Sequence, residues 1–219
     1  MASLKRWLER RRNPWKGVFF DAYKAWRKEN GQARLTDYAD LPEGAVVFDV
    51  GGFRGEWTDT VLAQSATAHV HVFEPHPGFA ETLRQKFRGD SRVTVHELAI
   101  GSSTGTMELS DAGDASSAVA DHGKSFTAPI QKVDEFLSDQ DIRHIDLMKV
   151  NIEGGEYDLL PALIDTRAIT ALDRLQVQFH LFEPGMQPLR DTIRQNLEKS
   201  HTCTWSYPFV WEEWRRKTS

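Results

Sequence analysis

The feature that most constrains the fold is a regular alternation of short apolar runs and helical segments that begins at residue 45. From their apolar and β-branched content, strands are predicted at 45–50, 68–73, 93–100, 145–151 and 175–180. Helices are predicted between them at 56–63, 78–87 and 157–164. Because consecutive parallel strands need helical crossovers, this order predicts an α/β fold with a doubly wound, mostly parallel sheet.

Two parts of the chain depart from this alternation. Segments 105–109 and 126–131 predict two further strands around a loop rich in Asp, Gly and Ser, which could cover a site. After a predicted helix at 188–199, segments 202–207 and 209–214 are extended. Aromatic residues alternate there with period two, namely Trp205, Tyr207, Phe209 and Trp211. We interpret them as paired strands that bury aromatic side chains, in preference to an aromatic ligand cage.

A helical extension is predicted before the alternating part. An apolar stripe at helical spacing predicts a short amphipathic helix, formed by Leu4, Trp7 and Leu8. A second helix is predicted at 18–28, and Gly31 is expected to end it. We therefore divide the chain into an N-terminal helical extension with a basic arm, residues 1–40, and a main domain, residues 41–219.

Charge is unevenly distributed. Residues 1–34 carry ten Lys or Arg and three Asp or Glu, a net charge of +7, whereas the rest carries 17 and 29, a net charge of −12. The basic arm indicates peripheral membrane contact through residues 1–12, and the acidic remainder argues against a nucleic-acid partner. No apolar run approaches the roughly 20 residues of a membrane span, and the lone Cys203 suits a reducing compartment. We expect a cytoplasmic protein that touches the inner membrane surface.

The strongest local motif is a buried strand that runs into a glycine-rich turn and then a helix, within residues 46–55. Glycines at the carboxyl end of a strand let a ligand approach the backbone closely. A dinucleotide-binding turn has glycines at its first, third and sixth positions. Here Gly52 and Gly55 fit the last two, but Val50 occupies the first, which disfavours NAD. Asp49 before the turn suits a ligand with an ammonium group, such as S-adenosylmethionine.

Further candidate residues follow the next predicted strands. Glu74 ends the second strand, where a carboxylate can accept both hydroxyls of a ribose. Ala99 ends the third, and the glycine pair 154–155 after the fourth removes side-chain bulk where a ligand would pass. Glu153 is then expected to face the cleft. For Glu156, a position facing the cleft and the ordinary preference of a carboxylate for a helix N-terminus are equally good explanations. These residues indicate a nucleoside-containing ligand.

The order of these motifs resembles the FkbM-type methyltransferases, a family that uses S-adenosylmethionine. The resemblance runs from Val46 to Leu160 and rests on segments 47–52, 73–75, Ala99 followed by Gly105, 116–117, 133–134, 145–146 and 149–156. It implies the class I methyltransferase fold, a Rossmann-like sheet of seven strands with the last antiparallel. It also implies methyl transfer to oxygen, often on sugars or polyketide hydroxyls.

The resemblance implies roles for individual residues. It assigns the methionine end of the cofactor to Asp49, Gly51, Gly52 and Gly55, the ribose to Glu74 and the surroundings of adenine to Ala99. Their neighbours Phe53 and Pro75, together with Asn151, complete the expected cofactor site. The family usually has Asp where this chain has Asn151. An amide can form hydrogen bonds, but it cannot take a proton or give a metal a negatively charged oxygen.

A hydroxyl acceptor loses its proton around the moment of methyl transfer, so a base is expected near the cofactor. His180, at the end of the strand predicted at 175–180, is the first candidate because its ordinary pKa of about 6.5 suits that role. Glu153 is the next candidate, as base or orienting carboxylate, and Asn151 completes the catalytic set.

The expected function is therefore O-methylation of a hydroxyl-bearing acceptor such as a sugar, glycan or glycolipid. Two alternatives stay open: a non-catalytic or impaired module that binds S-adenosylmethionine, which Asn151 favours, and an NAD-dependent oxidoreductase. No metal site is expected, because His69, His71 and His76 lack closely spaced partners in a zinc pattern.

Overall fold

The computed structural model describes residues 11–111, 116–117 and 125–218 of the chain. Its strands in these ranges are, in chain order, β1 (Val46–Val50), β2 (His69–Phe73), β3 (Val93–His96), β4 (Ala99–Gly101), β5 (Gly105–Asp111), β6 (Ser116–Ser117), β7 (Ser125–Lys132), β8 (Ile145–Val150), β9 (Leu172–Val177), β10 (His201–Tyr207) and β11 (Trp211–Arg216). Seven of them form a central sheet in the order β10-β11-β9-β8-β1-β2-β3. All neighbours in it are parallel except β11, which is antiparallel to β9 and β10. The predicted mostly parallel sheet with an antiparallel C-terminal strand is confirmed.

Helices pack on both faces of the central sheet. They are α1 (Gly17–Lys28), α2 (Gly31–Leu35), α3 (Glu56–Gln64), α4 (Pro77–Lys86), α5 (Val133–Asp139), α6 (Glu156–Asp165) and α7 (Met186–Leu197), with short 3₁₀ helices at Pro14–Lys16 and Ala168–Ala171. Leu147 and Met148, adjacent on β8, belong to two different core clusters. Successive side chains of a strand point to opposite faces, so the sheet is buried on both sides and the doubly wound arrangement is confirmed. No helix in the described ranges is long and apolar enough to cross a membrane.

A second sheet of four strands has the order β4-β7-β5-β6. The apolar run at 93–100, predicted as one strand, is divided between the two sheets: β3 stays in the central sheet, and β4 pairs in parallel with β7, Ala99 opposite Ile130. The prediction of a single strand is wrong. The antiparallel pair of β5 and β7 leaves one edge of β7 open to a further strand, and β4 pairs there by leaving the central sheet. The predicted loop between β5 and β7 lies mostly outside the described residues.

The C-terminal strands β10 and β11 pair as predicted. Tyr207 and Phe209 are buried, but Phe209 lies in the turn between the strands, with φ of 61°, and not on the second strand. β9 ends at Val177, three residues earlier than predicted, so His180 follows the strand instead of ending it. The apolar Phe179, which stays in the core beyond the strand, accounts for this difference.

The described part of the N-terminal extension packs against the main domain. Trp26 of α1 meets Tyr207 of β10 edge-to-face, with ring centroids 5.2 Å apart. Tyr38 is fully buried in the core cluster that includes Val47. Gly31 begins the short helix α2 where we expected a helix to end, and a Cβ there would lie 2.1 Å from the Trp26 ring. The amphipathic helix predicted near the start falls in residues 1–10, outside the described ranges, and the boundary at residue 40 stays a prediction.

Candidate functional site

A cavity of about 480 Å³ opens at the carboxyl edge of the central sheet. It lies where β1 and β8 are neighbours and their following connections run to opposite sides, towards β2 and towards β9. Such a topological switch point is where open α/β sheets bind ligands. The cavity is lined by Val50, Gly51, Phe53, Phe73, Glu74, Pro75, Phe79, Leu98, Ala99, Ile100, Met107, Leu109, Ile130, Asn151, Ile152, Gly154, Gly155 and Asp158.

The glycine-rich turn forms the floor of the cavity. Gly51 has φ of 85°, and a Cβ on it would lie 2.1 Å from the backbone oxygen of Asn151, so only glycine fits there. Gly52 and Gly55 do not line the cavity, which differs from the expected contact with a cofactor. A Cβ on Gly52 would lie 2.2 Å from Val72, and one on Gly55 would meet Leu83 and Phe87. These two glycines allow the turn to pack on α4 and β2.

Asp49 lies under the turn and not in the cavity. Its carboxylate is fully buried; Oδ1 accepts a hydrogen bond from Lys149 Nζ (2.9 Å) and Oδ2 one from Thr58 Oγ1 (2.7 Å). Lys149 Nζ also donates to the Gly51 backbone oxygen (2.7 Å). The expected attraction between Asp49 and a ligand ammonium is therefore corrected: Lys149 already supplies the positive charge, and the pair fixes the turn.

Lys149 was missed as a site residue. Its signal in the sequence is a single lysine inside the apolar run of β8, which calls for a buried anionic partner.

Glu74 lies at the end of β2 and lines the cavity, as predicted. Its side chain is held by two backbone groups, since Oε2 accepts from Phe53 N–H and Oε1 from His76 N–H, both at 2.9 Å. Burial raises the pKa of Glu74, against the lowering effect of these hydrogen bonds. Each carboxylate oxygen keeps a lone pair for a further donor, which suits a pair of ribose hydroxyls.

The second sheet supplies one wall of the cavity. Ala99 on β4 lines the cavity together with Met107 and Leu109 from β5 and Ile130 from β7. The β5 and β7 residues were missed, because no local pattern shows that the second sheet folds over the edge of the first. Asp158, in the first turn of α6, adds a carboxylate to this apolar region.

Asn151 lines the cavity. The other two predicted catalytic residues, Glu153 and His180, form a cluster with Glu156. His180 Nε2 lies 3.4 Å from Glu153 Oε1, and its Nδ1 lies 3.1 Å from Glu156 Oε1. The buried Glu156 also accepts from the backbone N–H groups of Gly154 (2.9 Å) and His180 (2.7 Å). Glu156, left open by the sequence, therefore fixes the loop after β9 to the start of α6.

The two carboxylates change the acid–base behaviour of His180. Burial would lower its pKa, but hydrogen bonds and charges from Glu153 and Glu156 outweigh burial and raise the pKa to about 9. The hydrogen bond from His180 in turn lowers the pKa of Glu153. The expectation that His180 titrates near 6.5 is therefore wrong, because the sequence did not show that it lies between two carboxylates.

A possible metal-ligating group occurs elsewhere, at the opposite edge of the sheet. His144, Asp146 and Asp173 have ligand atoms within 4.8 Å of one another. Both carboxylates already have partners, since Asp146 accepts from the Val46 N–H (2.8 Å) and Asp173 pairs with Arg216 (2.6 Å). This group has no connection with the cavity.

Several solved structures resemble this fold. The FkbM methyltransferase from Methylobacillus flagellatus KT aligns with a TM-score of 0.52 at 15% identity, over 80% of this chain and 44% of that chain. The 23S rRNA methyltransferase ErmE aligns with a TM-score of 0.50 at 15% identity, over 85% and 67% of the two chains. The fibrillarin pre-rRNA processing protein from Methanococcus jannaschii gives 0.50 at 9% identity, over 84% and 70%. The central sheet is thus that of the class I methyltransferases, as predicted.

The prediction that nucleic acid is not a partner is contradicted. Similar structures include proteins named for rRNA methylation, so an acidic main domain is no ground for excluding such an acceptor. The chain spans less than half the length of the Methylobacillus protein.

A search of curated proteins gives no significant match. A family model, however, matches the chain over residues 49–203, from the glycine-rich turn to β10, and its description is a methyltransferase FkbM domain. With the switch-point cavity, Glu74 at its expected place and the seven-stranded sheet, this match shows that the chain belongs to the FkbM methyltransferase family.

Proposed function

We propose that the chain is an S-adenosylmethionine-dependent O-methyltransferase that acts on a hydroxyl group of a sugar, glycan or glycolipid. The observation that carries this proposal is the place of the cluster that His180 forms with Glu153 and Glu156. Residues on both sides of Glu153 line the cavity, and Glu153 is the partner of His180. A cofactor-sized cavity next to a potential base is what methyl transfer to a hydroxyl requires.

The cavity suits S-adenosylmethionine in size and chemistry. Its volume of about 480 Å³ falls within the roughly 300–1,000 Å³ of small-molecule sites. In this proposal Glu74 accepts the ribose hydroxyls, Gly51 and Asn151 hold the methionine end, and Ala99 lies against adenine. When bound, the cofactor supplies a methyl group on a positively charged sulfur.

The proposed acceptor of the hydroxyl proton is the imidazole of His180. Glu156, 3.1 Å from Nδ1, orients the ring, so that Nε2 is the nitrogen that takes the proton, and Glu153, 3.4 Å from Nε2, offsets the positive charge that the ring gains. The raised pKa makes neutral His180 a stronger base, but it reduces the neutral fraction at pH 7. Asn151 has no basic lone pair and is proposed to orient the reacting groups by hydrogen bonds.

The test is a screen of methyl transfer from labelled S-adenosylmethionine to sugar nucleotides, glycolipids, small alcohols and RNA oligonucleotides. Mass spectrometry of the products then locates the methyl group. We expect an O-methylated, sugar-containing product. Methylation of a base nitrogen in RNA, or cofactor binding without transfer to any acceptor, would contradict the proposal.

Glu74→Ala provides the test of the cofactor site. We expect the affinity for S-adenosylhomocysteine to fall at least about tenfold, because a charged hydrogen bond contributes ~1.5–3 kcal/mol. Calorimetry measures the affinity, and Glu74→Gln, which keeps the size and one acceptor oxygen, is the matched control with an intermediate loss. Unchanged affinity in a folded Ala variant would rule out this role for Glu74.

A further inference from the structure

The helix α1 has a second apolar face besides the one that packs on the main domain. Its inward face holds Ala22 and Trp26, which are buried against β10 and the turn after it. Phe20 and Tyr23 lie outside this packing: in the described part of the chain, neither belongs to a core cluster or packs against one. Tyr23 is 41% exposed, and it is one of two large apolar side chains in the described ranges that are exposed.

The aromatic side chains on this second face form a connected row. The Phe19 ring stacks on the Tyr23 ring, with centroids 5.9 Å apart, and lies 5.6 Å from the Phe20 ring. Phe19 also packs against the core, so it joins the row to the main domain. We call Phe19, Phe20 and Tyr23 the outer aromatic face of α1.

The charged side chains of α1 are unequally distributed around its axis. At about 100° per residue, the exposed Lys24 and Arg27 fall with the outer aromatic face inside an arc of about 140°. No acidic residue of α1 falls in that arc, because Asp21 lies about 130° from its centre. Glu29, just after the helix, faces the main domain, where its carboxylate accepts a hydrogen bond from Tyr207 Oη (2.7 Å). The outer aromatic face is therefore bordered by positive charge alone.

Aromatic rings next to basic side chains suit the interface of an anionic membrane. Such rings lie at the level of the lipid headgroups, and each nearby Lys or Arg is attracted by the negative surface potential. Residues 11–34 carry seven Lys or Arg and two Asp or Glu, a net charge of +5, whereas residues 35–219 carry a net charge of −12. An anionic surface therefore attracts the side of the protein that bears α1 and repels the remainder.

We infer that the outer aromatic face of α1, together with Lys24 and Arg27, docks the protein on a membrane surface that contains anionic lipids. The inference goes beyond the proposed function and does not depend on it, because it uses neither the cavity nor an acceptor. It places on α1 a contact that the charge pattern had predicted for residues 1–12.

The test is flotation of the full chain with vesicles, either of phosphatidylcholine alone or of an equal mixture of phosphatidylcholine and phosphatidylglycerol. We expect the partition coefficient to be at least ~10-fold higher for the anionic vesicles, because several basic side chains are attracted by the lipid charge. Salt at about 1 M should remove most of this preference, since it shortens the screening length to about 3 Å.

Two double variants test the surface itself. Phe20→Ala with Tyr23→Ala should lower the partition coefficient on anionic vesicles ~10-fold, because it removes two apolar side chains that the lipid would cover. Lys24→Gln with Arg27→Gln should lower the same coefficient ~10- to 30-fold and leave binding to neutral vesicles unchanged. Circular dichroism checks that each variant is folded.

The matched controls change the same kinds of side chain elsewhere. Leu189→Ala alters the other exposed large apolar residue, on α7, and Arg88→Gln with Arg143→Gln removes two exposed positive charges outside α1. Both should keep the wild-type partition coefficient within about twofold.

Each result supports or overturns the inference. It is overturned if the wild-type protein does not bind anionic vesicles, if the controls lose as much binding as the α1 variants, or if both α1 variants bind as the wild type does. Binding of a single-stranded RNA oligonucleotide that is lost in the α1 variants, without vesicle binding, would identify the face as a nucleic-acid site instead. If one α1 variant is misfolded, the other decides, because the two remove different attractions.

Discussion

At the scale of single residues, the surroundings of His180 set the pH at which it can accept a proton. Its pKa is raised to about 9 by Glu153 and Glu156, so the neutral, basic form increases as the pH rises towards that value. We expect the rate of methyl transfer to fall on acidification below about pH 9. His180→Ala should lower turnover ~100- to 10,000-fold with nearly unchanged cofactor affinity, because its side chain does not line the cavity. Rates measured across pH and calorimetry test both statements.

Glu153→Gln is the matched control, since it removes one of the two charges that raise the pKa of His180. The pH below which the rate of methyl transfer falls should then shift downward, towards the ordinary histidine pKa of about 6.5. Asn151→Asp should not increase the rate. If the pH dependence of Glu153→Gln is the same as that of the wild type, or if Asn151→Asp is much faster, a group other than His180 is the base.

At the scale of secondary-structure elements, Trp26 is the large side chain of α1 that is buried against the main domain. Trp26 is 7% exposed and packs with Ala22, Leu35, Tyr207 and Val210. We expect Trp26→Ala to lower the free energy of unfolding by ~3 kcal/mol, as for other buried aromatic side chains. Affinity for S-adenosylhomocysteine should not change, because no residue of α1 lines the cavity.

Chemical denaturation followed by circular dichroism measures this loss independently of tryptophan fluorescence. Tyr23→Ala is the control on the same helix: Tyr23 is 41% exposed, so the change should cost less than about 0.5 kcal/mol. Equal effects of the two variants would show that α1 is held by its exposed face or by the rest of the chain.

At the scale of the whole molecule, a pair of histidines makes the stability of the fold sensitive to acid. The His71 and His96 rings stack, and His71 Nδ1 lies 3.0 Å from His96 Nε2. Burial, then the charge of His71, lowers the pKa of His96 to about 4. The unfolded chain therefore binds more protons than the folded chain between about pH 6.5 and 4. The contribution of this histidine pair to the free energy of unfolding is fully present above about pH 6.5 and is lost as the pH falls through this window.

Thermal unfolding between pH 7 and 4 measures this effect. The pair is only partly buried, so we expect a slope below the roughly 1.4 kcal/mol per pH unit of one fully linked proton. His96→Gln should flatten the dependence, whereas His69→Gln, on the exposed start of β2, should leave it nearly unchanged. A slope that survives in His96→Gln would assign the acid sensitivity to other groups.

The sequence by itself determined the class of fold and several of the residues that line the cavity. The pattern of apolar residues in a strand or a helix repeats within a few positions. The local sequence is therefore enough to predict β1, β2 and β8 and the helices between them. The glycine-rich turn and Glu74 are equally local, because each comes directly after a strand. Parallel strands bring their carboxyl ends to one edge, and this rule alone was enough to place Gly51, Glu74 and Asn151 around one cavity.

Only the tertiary structure decided what depends on contacts between distant segments. Asp49 and Lys149 are 100 residues apart, and their pairing changes Asp49 from an expected ligand contact into a support of the turn. The apolar wall from the second sheet exists because β4 leaves the central sheet to pair with β7. The pKa of His180 depends on charges a few ångströms away. Coulomb and hydrogen-bond energies are set by distance in space, which a one-dimensional pattern does not contain.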